Sequence, residues 1–227
     1  VAAAKIGLGF RTLFNTPDAI TLINGLYPEI PYWQKALQYC LHGNLQAVLD
    51  EYVHVLYESL GLVGHDVREC TLKISEEISR ALSLRTTALR FDDFIVEGKD
   101  VQVEKRSIRC RYGLRFGDEK TDYMGGTQRS DDVRTAFNSP FRPFILATTS
   151  VGQEGLDFHQ YCHRLVHWNL PPNPVDFEQR EGRIHRYKGH VIRRNLAKEY
   201  GLSDIELGNG SNDPWKELFG RARSDRD

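Results

Sequence analysis

Residues 148–158 read TTSVGQEGLDF, and residues 179–186 read QREGRIHR. An apolar run, PFILATT (143–149), leads into the first stretch, and RLVHWNL (164–170) lies between the two. Each run has the length and the β-branched or aromatic content of a short buried strand. Strand, glycine-containing loop, strand and helix in units of about 30 residues are typical of a parallel α/β sheet.

The loop after the first predicted strand is suited to binding an anion. In open α/β sheets, ligands bind beyond the carboxyl ends of the strands. Gly152 and Gly155 allow a close approach to the backbone, and Asp157 could accept a hydrogen bond from a ribose hydroxyl. An ordinary loop in which Asp157 caps a helix accounts for these residues equally well. The candidate phosphate donors are the hydroxyls of Thr148, Thr149 and Ser150 and the amides near Gly152.

The second stretch predicts a basic helix. Residues 175–187 follow Pro174, a residue favoured in the first helical turn, so we expect a helix over this range. Arg180, Arg183 and Arg186 are spaced by three and would share one face. Such a face favours an anion, although a solvated helix with compensating glutamates is the alternative. The central glycine costs about 1 kcal/mol relative to alanine, which favours a close approach to the backbone there.

Taken together, the two stretches resemble motifs V and VI of superfamily-2 helicases and translocases. The pattern Gln-Arg-x-Gly-Arg-x-x-Arg is similar to motif VI, whose last two arginines act as fingers on the γ-phosphate of ATP bound to a partner lobe. The resemblance therefore gives Arg183 and Arg186 catalytic roles. It places Gln179 at the first position of the motif. It also implies that Gln179, Gly155 and Asp157 lie on the ATP side of the site.

The sequence TSVGQEGLD is similar to the T-S-V-x-E-E-G-L-D form of motif V, with Gln153 in place of a glutamate. This likeness implies that Thr149 contacts nucleic acid, and that Asp157 binds the ATP ribose or orients an arginine finger. The segment GGTQRSDDVRTAF resembles the region between motifs IV and V, which makes Arg129 and Arg134 candidate contacts to the nucleic-acid backbone. A motif IV strand is not evident before Gly126.

The resemblance implies an α/β fold, a RecA-like parallel sheet flanked by helices, with a helical N-terminal region. We expect helices over residues 1–82, the helicase C-terminal lobe over 83–205 and a polar tail over 206–227. Residues 125–195 resemble bacterial helicase-like proteins near the Swi/Snf-type translocases. The function implied is that of a nucleic-acid-dependent ATPase, a helicase or a DNA translocase. A RecA-like module that binds nucleic acid or protein without catalysis is the alternative.

The cofactors implied are ATP and Mg²⁺, bound mainly by an N-terminal RecA-like lobe. The 227 residues contain neither a G-x-x-x-x-G-K-[ST] loop nor a DExH or DEAD box, and the chain begins at Val1 without a signal pattern. We therefore expect a fragment that does not hydrolyse ATP alone. The expected partners are nucleic acid, DNA in preference to RNA, and the N-terminal lobe of the same protein.

Composition supports a globular, non-membrane protein, with 40% hydrophobic and 27% charged residues and no apolar run of about 18. Lys and Arg number 30 and Asp and Glu 31, so net charge does not indicate nucleic acid. Basic residues nevertheless cluster between positions 180 and 194. The four cysteines form no C-x-x-C pair, which fits a reducing cytoplasm, and no metal site is predicted. His159, His163 and His167 are interpreted as core or loop histidines.

Local patterns predict the remaining elements. Helices are expected over 32–40, over 45–60 with Asn44 as cap, from 66 to 82, over 127–137 with Thr127 as cap, and over 215–223. Alternating residues at 84–91 and 107–116, separated by EGKD (97–100), predict β-structure with a turn.

Overall fold

The computed structural model describes residues 2–27, 29–84, 87–97, 100–110, 126–141, 143–147, 157–201 and 213–225. The chain divides into two compact units, Val1–Val151 and Gly152–Asp227. The first unit contains α1 (Ala2–Phe14), α2 (Pro17–Leu26), α3 (Tyr32–Leu41), α4 (Asn44–Ser59), α5 (Val67–Leu82), β1 (Thr87–Glu97), β2 (Asp100–Cys110) and α6 (Gly126–Phe137). The second contains α7 (Pro174–Gly182), α8 (His190–Tyr200) and α9 (Pro214–Ser224). The predicted boundaries after residues 82 and 205 follow motif content and stay a prediction.

Helix α5 contacts both α1 and α6 in the first unit. Its start is capped by Asp66, whose Oδ2 accepts a hydrogen bond of 3.0 Å from the amide of Arg68. The predicted helix from 66 to 82 is therefore confirmed. Its buried residues recur at three- and four-residue intervals, which puts them on one face toward the core. The buried apolar residues are Cys70, Ile74, Ile78, Ala81 and Leu82.

Three aromatic side chains join distant parts of the first unit. The ring of Phe141 meets Phe10 edge-on at 5.3 Å and Tyr52 edge-on at 5.5 Å between centroids. All three are buried. Burial raises the pKa of Tyr52. The contacts hold α1, α4 and the segment that follows α6 around one core, with geometry that adds to the hydrophobic contribution of burial.

Two predicted helix starts are wrong in detail. Asn44 is the first residue of α4, and Gly43, in the left-handed region at φ 77°, takes the capping position without a side-chain hydrogen bond. Glycine reaches this conformation without a Cβ penalty, which moves the chain out of α3 and directly into α4. Thr127 likewise lies inside α6, which begins at Gly126.

Strands β1 and β2 pair antiparallel, with Phe94 opposite Val103 and Val96 opposite Val101. The predicted β-structure around EGKD is confirmed. The second strand begins at Asp100 rather than at 107, since pairing continues immediately beyond the short connection. Arg106 Nε lies 3.1 Å from Asp93 Oδ2 across the pair.

Within the described residues, the sheet consists of this antiparallel pair. The predicted parallel sheet is not present in that part of the chain. Residues 143–147 and 164–170 are not strands. Ile145 is 85% exposed and Trp168 is 94% exposed, so these apolar runs lack the covering that a central strand requires. A strand forms only where a neighbour completes its hydrogen bonds, and sequence pattern alone does not supply that neighbour.

In the second unit, α7 begins where the sequence predicts. Asn173 Oδ1 accepts a hydrogen bond of 3.0 Å from the amide of Val175, and Pro174 lies in the first turn. The predicted tail helix is α9, capped by Asp213, and it packs against α8. Trp215 and Leu218 of α9 are buried. No helix in the described ranges has the length and apolarity needed to cross a bilayer.

Candidate functional site

Helix α7 ends earlier than the sequence predicts. Gly182 is its last residue, and Arg183 follows as the C-cap in the αR region. The predicted helix over 175–187 is therefore wrong beyond Gly182, and Arg183 and Arg186 do not share a helical face. A Cβ at Gly182 would meet no atom of the described residues within 4 Å, so packing against them does not require this glycine. Its low helix propensity favours an end at this point.

A tight turn carries Arg186. The amide of Gly189 donates a 2.8 Å hydrogen bond to the carbonyl of Arg186. Lys188 has φ 58°, in the left-handed region that residues other than glycine seldom occupy. A Cβ at Gly189 would lie 2.9 Å from the oxygen of Arg186 and 3.1 Å from that of Ile184. The turn therefore requires glycine at 189, a signal that the motif reading missed.

Two backbone hydrogen bonds join the turn to the segment that begins at Asp157. The amide of Phe158 donates to the carbonyl of Arg183 at 3.2 Å, and the amide of His190 donates to the carbonyl of His159 at 2.8 Å. Two stretches about 25 residues apart in sequence thus lie side by side. The end of the first quoted stretch meets the end of the second, as a shared site requires.

Asp157 and Arg186 form an ion pair across this junction. Arg186 Nη2 lies 2.8 Å from Asp157 Oδ1, and the side chains are 45% and 46% exposed, respectively. A pair this exposed contributes about 0–1 kcal/mol to stability, so its main effect is to orient the guanidinium. The sequence led us to expect Asp157 to bind the ATP ribose or orient an arginine finger, and the predicted finger that its carboxylate contacts is Arg186.

An open depression lies beside the ion pair, with a volume of about 510 Å³. Burial lowers the pKa of His159; Arg186 and Arg193 lower it further, and Asp157 opposes them. The lowered pKa favours the neutral form of the His159 imidazole. A guanidinium, imidazoles, a phenol and a carboxylate together suit a ligand that carries phosphate and hydroxyl groups. The lining residues are Asp157, His159, Gly182, His185, Arg186 and Tyr187.

Comparisons with known proteins bear on this region. Residues 100–188 match the helicase conserved C-terminal domain. The uncharacterized ATP-dependent helicase YqhH of Bacillus subtilis (strain 168) is 35% identical over 113 residues. Residues 100–188 are therefore similar to the C-terminal lobe of superfamily-2 helicases. The alignment covers 48% of this chain and 19% of the relative. No solved structure matches the chain.

A helicase C-terminal domain implies a RecA-like fold, which confirms the coarse fold prediction. The matched region runs from the start of β2 through α6 and α7 to Lys188 in the turn. Arg186 and Asp157 both lie within it. The closer likeness to Swi/Snf-type translocases stays a prediction.

The other predicted site residues either do not line the depression or lie outside the described residues. Arg183 is half-buried and Gln179 is exposed on α7; among the described residues, neither lines the depression. Arg180 Nη1 donates to the carbonyl of Asn169 at 3.0 Å, so it holds a loop. Arg129 lies on α6 in the other unit. Thr148, Thr149, Ser150, Gly152 and Gly155 lie outside the described residues.

The three regularly spaced histidines belong to loops of the second unit. His163 lies 5.5 Å from His190 between ring centroids, and His167 stacks on Phe177 at 4.3 Å. His159 faces the depression. All three lie in loops, as the sequence predicts, and they point to different neighbours.

Proposed function

We propose that this chain is the second lobe of a nucleic-acid-dependent ATPase, a helicase or DNA translocase, and that it completes an ATP site with an N-terminal lobe. The observation that carries the proposal is the 2.8 Å pair between Arg186 and Asp157 beside the open depression. The helicase C-terminal domain match over 100–188 supports it. The partner lobe, the nucleic acid and the activity of the whole protein are part of the proposal.

In this proposal Arg186 is an arginine finger. A guanidinium has five N–H donors, so pairing with Asp157 leaves donors that can reach a γ-phosphate. Charge on the transferred phosphoryl group is stabilised mainly by positioned cations, and a finger fixed before the reaction needs little reorganisation. Mg²⁺ would be held with the phosphates by the other lobe, and no residue of this chain is assigned to it.

Arg183 is also proposed to be an arginine finger, although its position in the junction differs from that of Arg186. Its carbonyl accepts the hydrogen bond of Phe158, so its backbone belongs to the junction while its side chain is half-buried. Closure of the two lobes would bring this side chain toward the nucleotide. Gln179 and Gly155 are assigned to the ATP side by their motif positions.

Loss of the negative charge of Asp157 should have a small effect on stability and a larger one on turnover. Asp157→Asn in the complete protein should lower kcat roughly tenfold or more, because a neutral amide cannot replace a charge-assisted pair. Thermal melting should change little, since the pair is exposed. Steady-state ATPase kinetics and melting of the same preparations measure both effects.

Glu217→Gln is the matched control, because Glu217 is also an exposed acid paired with an arginine, Arg221, at 3.5 Å. It should leave kcat at the wild-type value. Asp157 precedes no helix in the structure, so wild-type kinetics in Asp157→Asn would make it an ordinary loop residue and remove it from the site.

The nucleic-acid contacts are proposed for Thr148, Thr149, Ser150 and Gly152, with Arg129. Thr149→Ala should weaken stimulation of the ATPase by nucleic acid more than it lowers basal turnover, because a hydroxyl donor to phosphate is lost. Binding should be independent of sequence and weaken steeply with salt, since phosphates are the target. Fluorescence anisotropy with several DNA sequences and RNA over a salt series measures this. A sequence preference that survives high salt would contradict it.

A further inference from the structure

Arg193 of α8 is a buried cation with two backbone partners. It is 4% exposed. Its Nη1 donates to the carbonyl of Lys188 at 2.6 Å, and its Nη2 donates to the carbonyl of Gln160 at 2.8 Å. Removing a guanidinium from water is strongly unfavourable unless hydrogen bonds compensate. Because hydrogen bonds to these two carbonyls compensate its burial, the guanidinium restrains the backbone at both positions.

Two aromatic rings confine the same guanidinium. Its central carbon lies 5.7 Å from the ring centroid of Tyr161 and 5.7 Å from that of Trp215. Both distances are within the range of cation–π attraction. The planar fork reaches two carbonyls at once while its central carbon lies over both rings. Lysine, with a compact charge, cannot reproduce this geometry.

The two carbonyls belong to the two halves of the site. Lys188 is the left-handed residue of the turn that carries Arg186, and Gln160 follows the segment that carries Asp157. The guanidinium thus bridges the same segments that are joined by the backbone bond from His190 to His159. Neither the family match, which ends at residue 188, nor the motif pattern includes Arg193.

We propose that Arg193 is a positioning residue that holds the Arg186 turn against the Asp157 segment. It acts through the carbonyls of Lys188 and Gln160 and does not touch the nucleotide. Its effect on turnover rests on the proposed function, whereas its effect on the turn does not. The inference therefore has one structural and one kinetic consequence, and these are measured separately.

The structural test is amide hydrogen exchange in the complete protein. In Arg193→Gln, the amides of Gly189 and His190 should exchange about tenfold faster or more, because the turn loses hydrogen bonds to a charged donor. Arg193→Lys should show a smaller acceleration, since one carbonyl can still be reached. Leu218→Ala removes buried side-chain volume from α9 and serves as the control for general destabilisation.

The kinetic test is a double-substitution cycle with Arg186. Arg193→Gln should lower kcat about 10²-fold, as expected when a catalytic group moves by roughly 1 Å. In an Arg186→Ala background it should lower kcat little further, because the group through which it acts is gone. Arg193→Lys, which is the milder change, should fall between wild type and Arg193→Gln. Leu218→Ala should leave the kcat of the folded protein unchanged.

Turnover and amide exchange distinguish the positioning of the turn from the proposed function. If Arg186→Ala keeps normal turnover while Arg193→Gln still loosens Gly189 and His190, the proposed function is wrong and the positioning of the turn stands. If those amides exchange as slowly as in wild type, or no faster than in Leu218→Ala, the positioning inference is overturned. An equal loss of kcat in both backgrounds would also overturn it.

Discussion

Arg186→Ala in the complete protein is expected to lower ATP turnover by roughly 10³-fold or more. ATP binding should be nearly unchanged, because the phosphates would be held by the other lobe. The physical reason is that a finger stabilises charge that develops only in the transition state, so its loss affects kcat rather than binding. Steady-state kinetics together with equilibrium binding of ATP to the same variant measure this separation.

Substitution of Arg186 should leave the fold of the turn and the stability of the protein nearly unchanged. The backbone bond from Gly189 to the carbonyl of residue 186 does not depend on the side chain. The lost ion pair with Asp157 is exposed, so melting should shift little. Arg186→Lys should rescue poorly, because an ammonium cannot pair with the carboxylate and contact phosphate through one planar fork.

Arg221→Ala on α9 is the matched control, since Arg221 also makes an ion pair, with Glu217, outside the proposed site. Arg183→Ala should behave like Arg186→Ala, with ATP binding spared and turnover lost. Near-normal turnover in Arg186→Ala would refute the finger assignment and would favour a RecA-like module that binds without catalysis.

The isolated 227-residue chain is expected to show no ATP turnover above background, with or without DNA. None of its residues forms a phosphate-binding G-x-x-x-x-G-K-[ST] loop or a DExH box, and arginine fingers alone neither hold the triphosphate nor place its metal. A coupled phosphate-release assay with single-stranded DNA, duplex DNA and RNA measures it, with the complete protein as positive control. Turnover of several per second by the purified chain would contradict the half-site proposal.

Local sequence signals predicted most helices correctly because their causes lie within a few residues. Asp66 lies at the start of α5 and Pro174 in the first turn of α7, where the local sequence predicts the two helices to begin. The β1–β2 pair also follows from local alternation and the EGKD connection. The apolar runs at 143–147 and 164–170 were wrong as strands in the described chain, since pairing depends on a distant neighbour.

For the same reason, the sequence identified some residues of the candidate site and missed others. Motif spacing singled out Arg186 and Asp157, which the structure brings to 2.8 Å. It missed Gly189, which is required by the close approach of two carbonyls, and Arg193, whose partners are 5 and 33 residues away. Neither requirement is visible as periodicity, because each arises from a turn and from a contact between separate segments.

By itself, the sequence singled out the helicase-like motifs and the residues that we propose carry their chemistry, because motif identity depends on residue type and order. Only the tertiary structure decided which arginine Asp157 holds. A continuous helix would have put Arg183 and Arg186 on one face, as the spacing predicted. Because α7 ends at Gly182, the chain instead turns back at Lys188 and Gly189, and that turn brings the guanidinium of Arg186 to the carboxylate.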